Sequence, residues 1–171
     1  MPARPSSSGF VRVCLLVLAL CAALGLAGCG KRVLSPTGRA RTEVTSANAA
    51  RVVVTARKQI GTHYRYGGNS PKGFDCSGLI WWSYRQHGIN VPRVAKDQAR
   101  TGKAVAPAKM RPGDILVFQT QSGLHTALYT GKGKFVHAPS SGKRVREDAV
   151  NNTYWKPRLK GVRRVTGSGK H

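Results

Sequence analysis

Three side chains in this sequence are of types that do nucleophilic chemistry together. Cys76 stands in Gly73-Phe74-Asp75-Cys76-Ser77-Gly78-Leu79. His125 stands in Gly123-Leu124-His125-Thr126-Ala127-Leu128-Tyr129, and His137 in Phe135-Val136-His137-Ala138-Pro139. A thiol attacks as its thiolate. It needs a base, and the base needs a partner that orients it. Cys76 follows a glycine-rich loop and opens an apolar stretch, which puts it at the start of a helix. The free N–H groups and partial positive charge of a helix start favour a thiolate and are placed to receive an oxyanion. Taken singly, each residue has a plainer reading: Cys76 as a small core residue, either histidine as a surface or satisfied core position. A zinc site built from the same three residues is the competing chemistry, but neither C-x-x-C nor H-E-x-x-H spacing occurs.

The elements that must position these residues follow from periodicity. Ala49, Val52, Val53, Ala56 and Ile60 recur at helical spacing and predict a helix over Ala47 to Ile60, stopped by Gly61. The loop Tyr66-Gly67-Gly68-Asn69-Ser70 comes next. A second helix is expected from Cys76 to Gly88, largely buried through Leu79, Ile80, Trp82 and Tyr84, and a short third from Val94 to Thr101. After Pro112-Gly113 the pattern changes to strands: Ile115 to Phe118, Leu124 to Thr130, and Lys134 to Ala138, with Gly131-Lys132-Gly133 as a hairpin turn. That hairpin brings His125 and His137 onto adjacent strands as opposed residues. Val145-Arg146 and Gly161 to Val165 add further strands. Helices first and an antiparallel sheet second is an α+β pattern. His63 and His87 read as exposed, Trp81 and Trp82 as core or groove wall, and Trp155 as packing on the sheet edge.

Composition adds an address. The chain has 171 residues, 29 Lys+Arg against 6 Asp+Glu, and a formal charge of +23. That length suits one domain plus extras, and 40% hydrophobic residues exclude wholesale disorder. Residues 1–28 read as an export signal: Arg4 and Arg12, then an uncharged apolar run from Val13 to Leu24. The run is shorter than the ~20 residues that span a bilayer. It ends in Leu26-Ala27-Gly28-Cys29, which resembles the bacterial lipobox, with Cys29 lipidated as the mature amino terminus. Several acyl chains on Cys29 would anchor firmly; a plain secretory signal is the alternative. Cys14 and Cys21 would leave with the signal, so Cys76 becomes the free thiol of an exported protein, where a chemical use is expected. Residues 29–46 read as a flexible tether, 47–165 as the folded domain and 166–171 as a frayed tail. The charge calls for polyanionic partners. The Lys and Arg are scattered and no helix-turn-helix, zinc-finger or RNA-binding signature occurs, so anionic envelope polymers are expected and nucleic acid is not.

These residues resemble the NlpC family of bacterial cell-wall peptidases, papain-like cysteine enzymes. The likeness runs from about Arg51 to Val165. It rests on Gly61-Thr62-His63-Tyr64-Arg65-Tyr66-Gly67-Gly68, Gly73 to Leu79, Val91-Pro92-Arg93, Arg111 to Phe118, His125 to Tyr129 and Phe135 to Ala138. The tail, Tyr154-Trp155-Lys156-Pro157-Arg158 through Val165, is similar to that of small lipoprotein members that act as murein endopeptidases. The resemblance implies N-terminal helices packed on a central antiparallel sheet, with Cys76 as nucleophile, His125 as general base and His137 as the third, orienting residue. It implies that Tyr64 donates to the oxyanion or positions substrate, and that Asp75 and Ser77 hold a stem-peptide amine. Helix capping is an equal reading of Asp75. Arg93 and Asp114 match family positions and suit structural roles. No metal or cofactor is implied. Thr126 and Ala127 stand where Val and Gly are commoner, and Gln119 to Ser122 lacks a second aromatic, which puts subsite shape in question.

The expectation is a lipid-anchored peptidoglycan endopeptidase of the cell envelope, in the outer membrane facing the periplasm. It would act as a monomer on wall stem peptides or cross-links. A wall amidase, an acyl transferase and a non-catalytic wall-binding lipoprotein stay open.

Overall fold

A computed structural model of the chain describes residues 46–165. The expected signal, the lipidated Cys29, the tether up to residue 45 and the tail 166–171 lie outside the described residues. The first helix, α1 (Ser46–Arg57), buries Val52, Val53 and Ala56 as one stripe. It ends three residues before the predicted Ile60, in a run of turns. A two-strand ribbon, β1 (Asn69–Ser70) with β2 (Gly73–Phe74), leads into α2 (Cys76–Arg85). This second helix closes three residues early, and a turn carries the chain through Gly88. The third, α3 (Ala95–Gln98), is a single turn.

The main sheet has six strands in the order β3 (Lys103–Ala104), β8 (Leu159–Arg164), β4 (Ile115–Thr120), β5 (Gly123–Gly131), β6 (Lys134–His137) and β7 (Arg146–Ala149). Every pairing is antiparallel. The β5–β6 turn is Lys132-Gly133, at φ 51° and 71°, the positive-φ pair that matches the twist of a two-residue hairpin. Both edge strands are charged or very short, which blunts edge pairing. That composition also explains two departures from the sequence reading. Strand β7, Arg-Glu-Asp-Ala, carries no apolar run and starts one residue past Val145, and β3 has only two exposed residues.

Alternation along β4 splits the interior into two cores. Ile115 faces α1 and α2 with Leu128, Val136, Leu79 and Ile80. Leu116 and Phe118 face the other way, with Ala127, Phe135, Val162 and Trp155. The central strand is therefore buried on both faces.

Candidate active site

The Cys76 side starts from a cap. Asp75 is the N-cap of α2, extended at φ −89°, ψ 176°, and its Oδ1 accepts from the Gly78 N–H at 2.6 Å. Arg93 donates to both carboxylate oxygens, at 2.9 and 2.8 Å, and to the Gly68 carbonyl at 3.1 Å. Ser77 Oγ lies between Asp75 and Arg93 and is itself buried. Of the two sequence readings of Asp75, capping is the one with visible partners. The helix also presses against the glycine-rich loop: a Cβ on Gly78 would stand 2.0 Å from the Gly68 carbonyl oxygen. Only glycine fits there.

Cys76 is half-buried. Burial pushes its thiol up; hydrogen bonds from the Thr126 and Ser77 N–H groups and from the Thr126 hydroxyl pull the other way, and the nearby Asp75 adds to the rise. The helix start therefore does not outweigh desolvation in the free site. Tyr64 is half-buried beside it. Burial raises its hydroxyl, and the charges of Cys76 and Asp75 raise it further. The Tyr64 N–H is pinned to the Lys143 carbonyl at 2.8 Å.

Thr126, which touches Cys76, directly follows His125 on β5. It also reaches Gln98, a fully buried side chain the sequence reading passed over. Gln98 accepts from Thr126 Oγ1 at 2.9 Å and donates to the carbonyls of Ser77 at 2.9 Å and Pro92 at 2.8 Å. One amide thus ties the first turn of α2 to the strand that carries His125.

The histidines meet on the second-core face. His125 Nε2 and His137 Nδ1 are 2.9 Å apart, with the rings edge to face. Because Leu128 pairs with Val136, the two histidines are diagonal neighbours, not directly opposed as predicted. Diagonal neighbours on one face stay within reach of ring side chains. Burial pushes His125 down to about 3, the neighbouring His137 lowers it further and Asp148 opposes; His137 is lowered by burial against Asp148.

Two more residues complete this wall. Asp148 Oδ2 stands 3.1 Å from His137 Nε2 and accepts from Trp155 Nε1 at 2.9 Å and from Arg146. The hydrogen bond from His137, more than any other contact, holds its carboxyl well below the usual carboxylate range. Trp155 stacks on His125 at 5.3 Å and meets His137 edge-on at 5.0 Å, a larger part than the sheet-edge packing expected of it. Nothing in the sequence marks Asp148, one acid in a charged edge strand. A cavity of about 530 Å³ opens beside His125, lined by Trp155, Tyr154, Arg146, Lys143 and Thr120.

The remaining sequence candidates sort simply. Arg93 and Asp114 are structural: buried Asp114 accepts from the Arg111 N–H and pairs with Arg164. His63 is exposed as expected. His87 is not; it is half-buried and shares a hydrogen bond with Thr55 at 2.8 Å. Trp82 packs on Phe74 at 5.4 Å, and Trp81 lies under Arg85.

The chain is similar in sequence and fold to known proteins. The NlpC/P60 family model matches residues 61–164. The chain is 40% identical over 107 residues to the murein DD-endopeptidase MepS/murein LD-carboxypeptidase of Escherichia coli strain K12, covering 61% of this chain and 56% of that protein. It is 38% identical over 120 residues to the gamma-DL-glutamyl hydrolase of Bacillus subtilis strain 168, covering 67% of this chain and 29% of that protein. The solved structure of an NlpC/P60 family protein from Bacillus cereus ATCC 10987 matches with a TM-score of 0.66 at 30% identity, over 74% of this chain and 43% of that one. The chain thus spans about half or less of the length of these relatives. Its helices and antiparallel sheet have the papain-like fold that the sequence resemblance implied, and the chain belongs to the NlpC/P60 family of cysteine peptidases.

Proposed function

We propose that this protein is a lipid-anchored peptidoglycan endopeptidase that uses Cys76, His125 and His137. The observation that carries the reading is the pairing of His125 with His137 on a strand whose next residue, Thr126, hydrogen-bonds the Cys76 thiol at the start of α2. In the free site both Cys76 and His125 rest uncharged, since burial raises one and lowers the other. As an amide substrate displaces water, His125 takes the thiol proton and Cys76 Sγ attacks the carbonyl carbon. N–H groups at the helix start, with the Tyr64 hydroxyl beside them, receive the oxyanion. The imidazolium then gives its proton to the leaving amine, breaking the C–N bond. His125 next draws a proton from water, whose oxygen attacks the thioester and releases the acid. Asp75 and Ser77 shape the acyl side; with both Asp75 oxygens committed to Gly78 and Arg93, a substrate amine has to share them.

The relatives named above are a murein endopeptidase and a glutamyl hydrolase, which supports wall stem peptides or cross-links as the substrate. Lipidation of Cys29 and a place in the outer membrane facing the periplasm complete the proposal, supported by Leu26-Ala27-Gly28-Cys29 and the following Gly30. Loss of residues 1–28 would remove Arg4 and Arg12 and leave 27 Lys+Arg against 6 Asp+Glu, and that charge of +21 favours retention on anionic envelope polymers, weakened by salt. Palmitate labelling of the full chain and of Cys29→Ser tests the anchor; equal labelling of both would remove it.

The deciding experiment digests purified peptidoglycan with the full chain and with Cys76→Ser, read by mass spectrometry. New fragments are expected from the wild type alone, their masses naming the bond. Separation of sugar from peptide would make it an amidase, and new peptide linkages a transferase. Equal fragment release by both proteins would overturn the assignment.

A further inference from the structure

We propose that Asp148 is a positioning residue for catalysis, the far end of a hydrogen-bonded chain that decides which nitrogen of His125 is bare. The inference rests on the peptidase reading, but the chain of contacts stands on geometry alone. The Asp148 carboxylate accepts and cannot donate. Its Oδ2 takes Trp155 Nε1, Arg146 Nε at 3.2 Å and Arg146 Nη2 at 2.9 Å, and it faces His137 Nε2 at 3.1 Å. His137 Nε2 must therefore carry the hydrogen. A neutral His137 is then bare at Nδ1. The partner of Nδ1 is His125 Nε2, at 2.9 Å, so that nitrogen donates. His125 keeps Nδ1 as its free lone pair, the only ring nitrogen left to take the Cys76 proton. Each step follows from one hydrogen per bond, and the first step is set by Asp148.

When His125 becomes an imidazolium, the same chain carries its charge toward the carboxylate. Asp148 raises the protonated form of both histidines, against their burial. The titratable and charged groups facing this chain are His125 from β5, His137 from β6, Arg146 and Asp148 from β7, and Lys143 and Tyr154 from the cavity wall. Arg146 is the cation in direct contact, and it offsets part of the carboxylate charge. Trp155 and Arg146 also hold an oxygen at this position: an amide placed here would turn its oxygen, not its NH₂, toward their hydrogens.

Two substitutions separate the roles of Asp148. Asp148→Asn keeps an acceptor opposite His137 and removes the charge. Asp148→Ala removes the acceptor. Imidazole ¹⁵N spectra of the full chain read the tautomers without substrate, so failure of the peptidase reading leaves this test intact. The wild type is expected to show both histidines protonated at Nε2 and bare at Nδ1. In Asp148→Ala, His137 is expected to populate the Nδ1–H form and His125 to follow, with kcat down roughly 10- to 100-fold, as for lost outer-shell partners, and KM little changed. Asp148→Asn should keep the wild-type tautomers, regain much of kcat, and move the acid limb of kcat/KM to lower pH. Three results would each overturn the proposal. One is Nδ1–H on His137 in the wild type. Another is an Asp148→Ala protein with wild-type tautomers and kcat. Should Asp148→Ala fail to fold, Asp148→Asn decides alone, and an unmoved acid limb would sink the idea.

Discussion

Cys76 and His125 are held by walls of different construction. The Cys76 wall is made almost entirely of residues 64–98: a cap from Asp75, a fork from Arg93, a carbonyl from Gly68 against Gly78, and the amide of Gln98. Its contacts are polar and directional, and its backbone approach leaves no slack. The His125 wall draws on β5, β6, β7 and Trp155, and its contacts are stacked rings closed by one carboxylate. The first wall fixes a position by steric fit and short-range bonds. The second fixes a protonation state by burial and by hydrogen-bond direction. The mechanism proposed above uses both, because there an attacking sulfur must be placed and a base must be tuned.

The steric wall should break hardest. Gly78→Ala puts a Cβ against a backbone carbonyl that is itself bound by Arg93, so neither side yields cheaply. We expect a loss on the order of 2–4 kcal/mol in urea unfolding, with peptidase activity lost too. Gly161→Ala is the control: its Cβ would meet open space on β8, and a change within about 0.5 kcal/mol is expected. Equal costs at the two positions would dissolve the contrast between the walls.

The same contrast explains what was legible in the sequence. The Cys76 wall is local, so Asp75-Cys76-Ser77-Gly78 announces a capped helix start with a thiol. The hairpin was legible because Gly131-Lys132-Gly133 separates two apolar runs. Its register was not, and the histidines came out diagonal. Asp148 was invisible because a lone acid between Glu147 and Ala149 in a charged strand reads as solvated surface; only the pairing of β7 with β6, His137 against Arg146, brings it under the imidazole. Trp155 stood in the sequence as an edge residue because nothing local tells an aromatic that covers a sheet from one that stacks on an imidazole. Gln98 was missed for a related reason. Its three bonds go to Ser77, Pro92 and Thr126, and only the last crosses to the sheet.

The smaller and sharper expectation concerns pH, where the two walls should lose stability on opposite sides of neutrality. His125 ordinarily titrates near 6.5 and in the fold near 3. Between those values the unfolded chain binds a proton that the folded chain refuses. Stability from keeping His125 neutral is therefore complete above about pH 6.5 and drains away as pH falls toward 3. His137 is lowered too and adds to the same window; Asp148, held below its ordinary 3.8, extends the loss to lower pH. Cys76 works in the other direction. Its thiol lies above the ordinary 9.0, so the unfolded chain releases a proton first and stability falls as pH rises past 9. Burial also raises Tyr64 and Tyr84, which share that alkaline loss. In thermal melts across pH, His125→Gln should flatten the acid slope by an amount on the order of 1 kcal/mol, roughly 4 °C, and leave the alkaline slope alone. Cys76→Ser should flatten the alkaline slope, by less because the tyrosines remain. An acid slope untouched by His125→Gln would mean that the imidazole is not held neutral by its wall, and the division between a wall that places and a wall that tunes would fall with it.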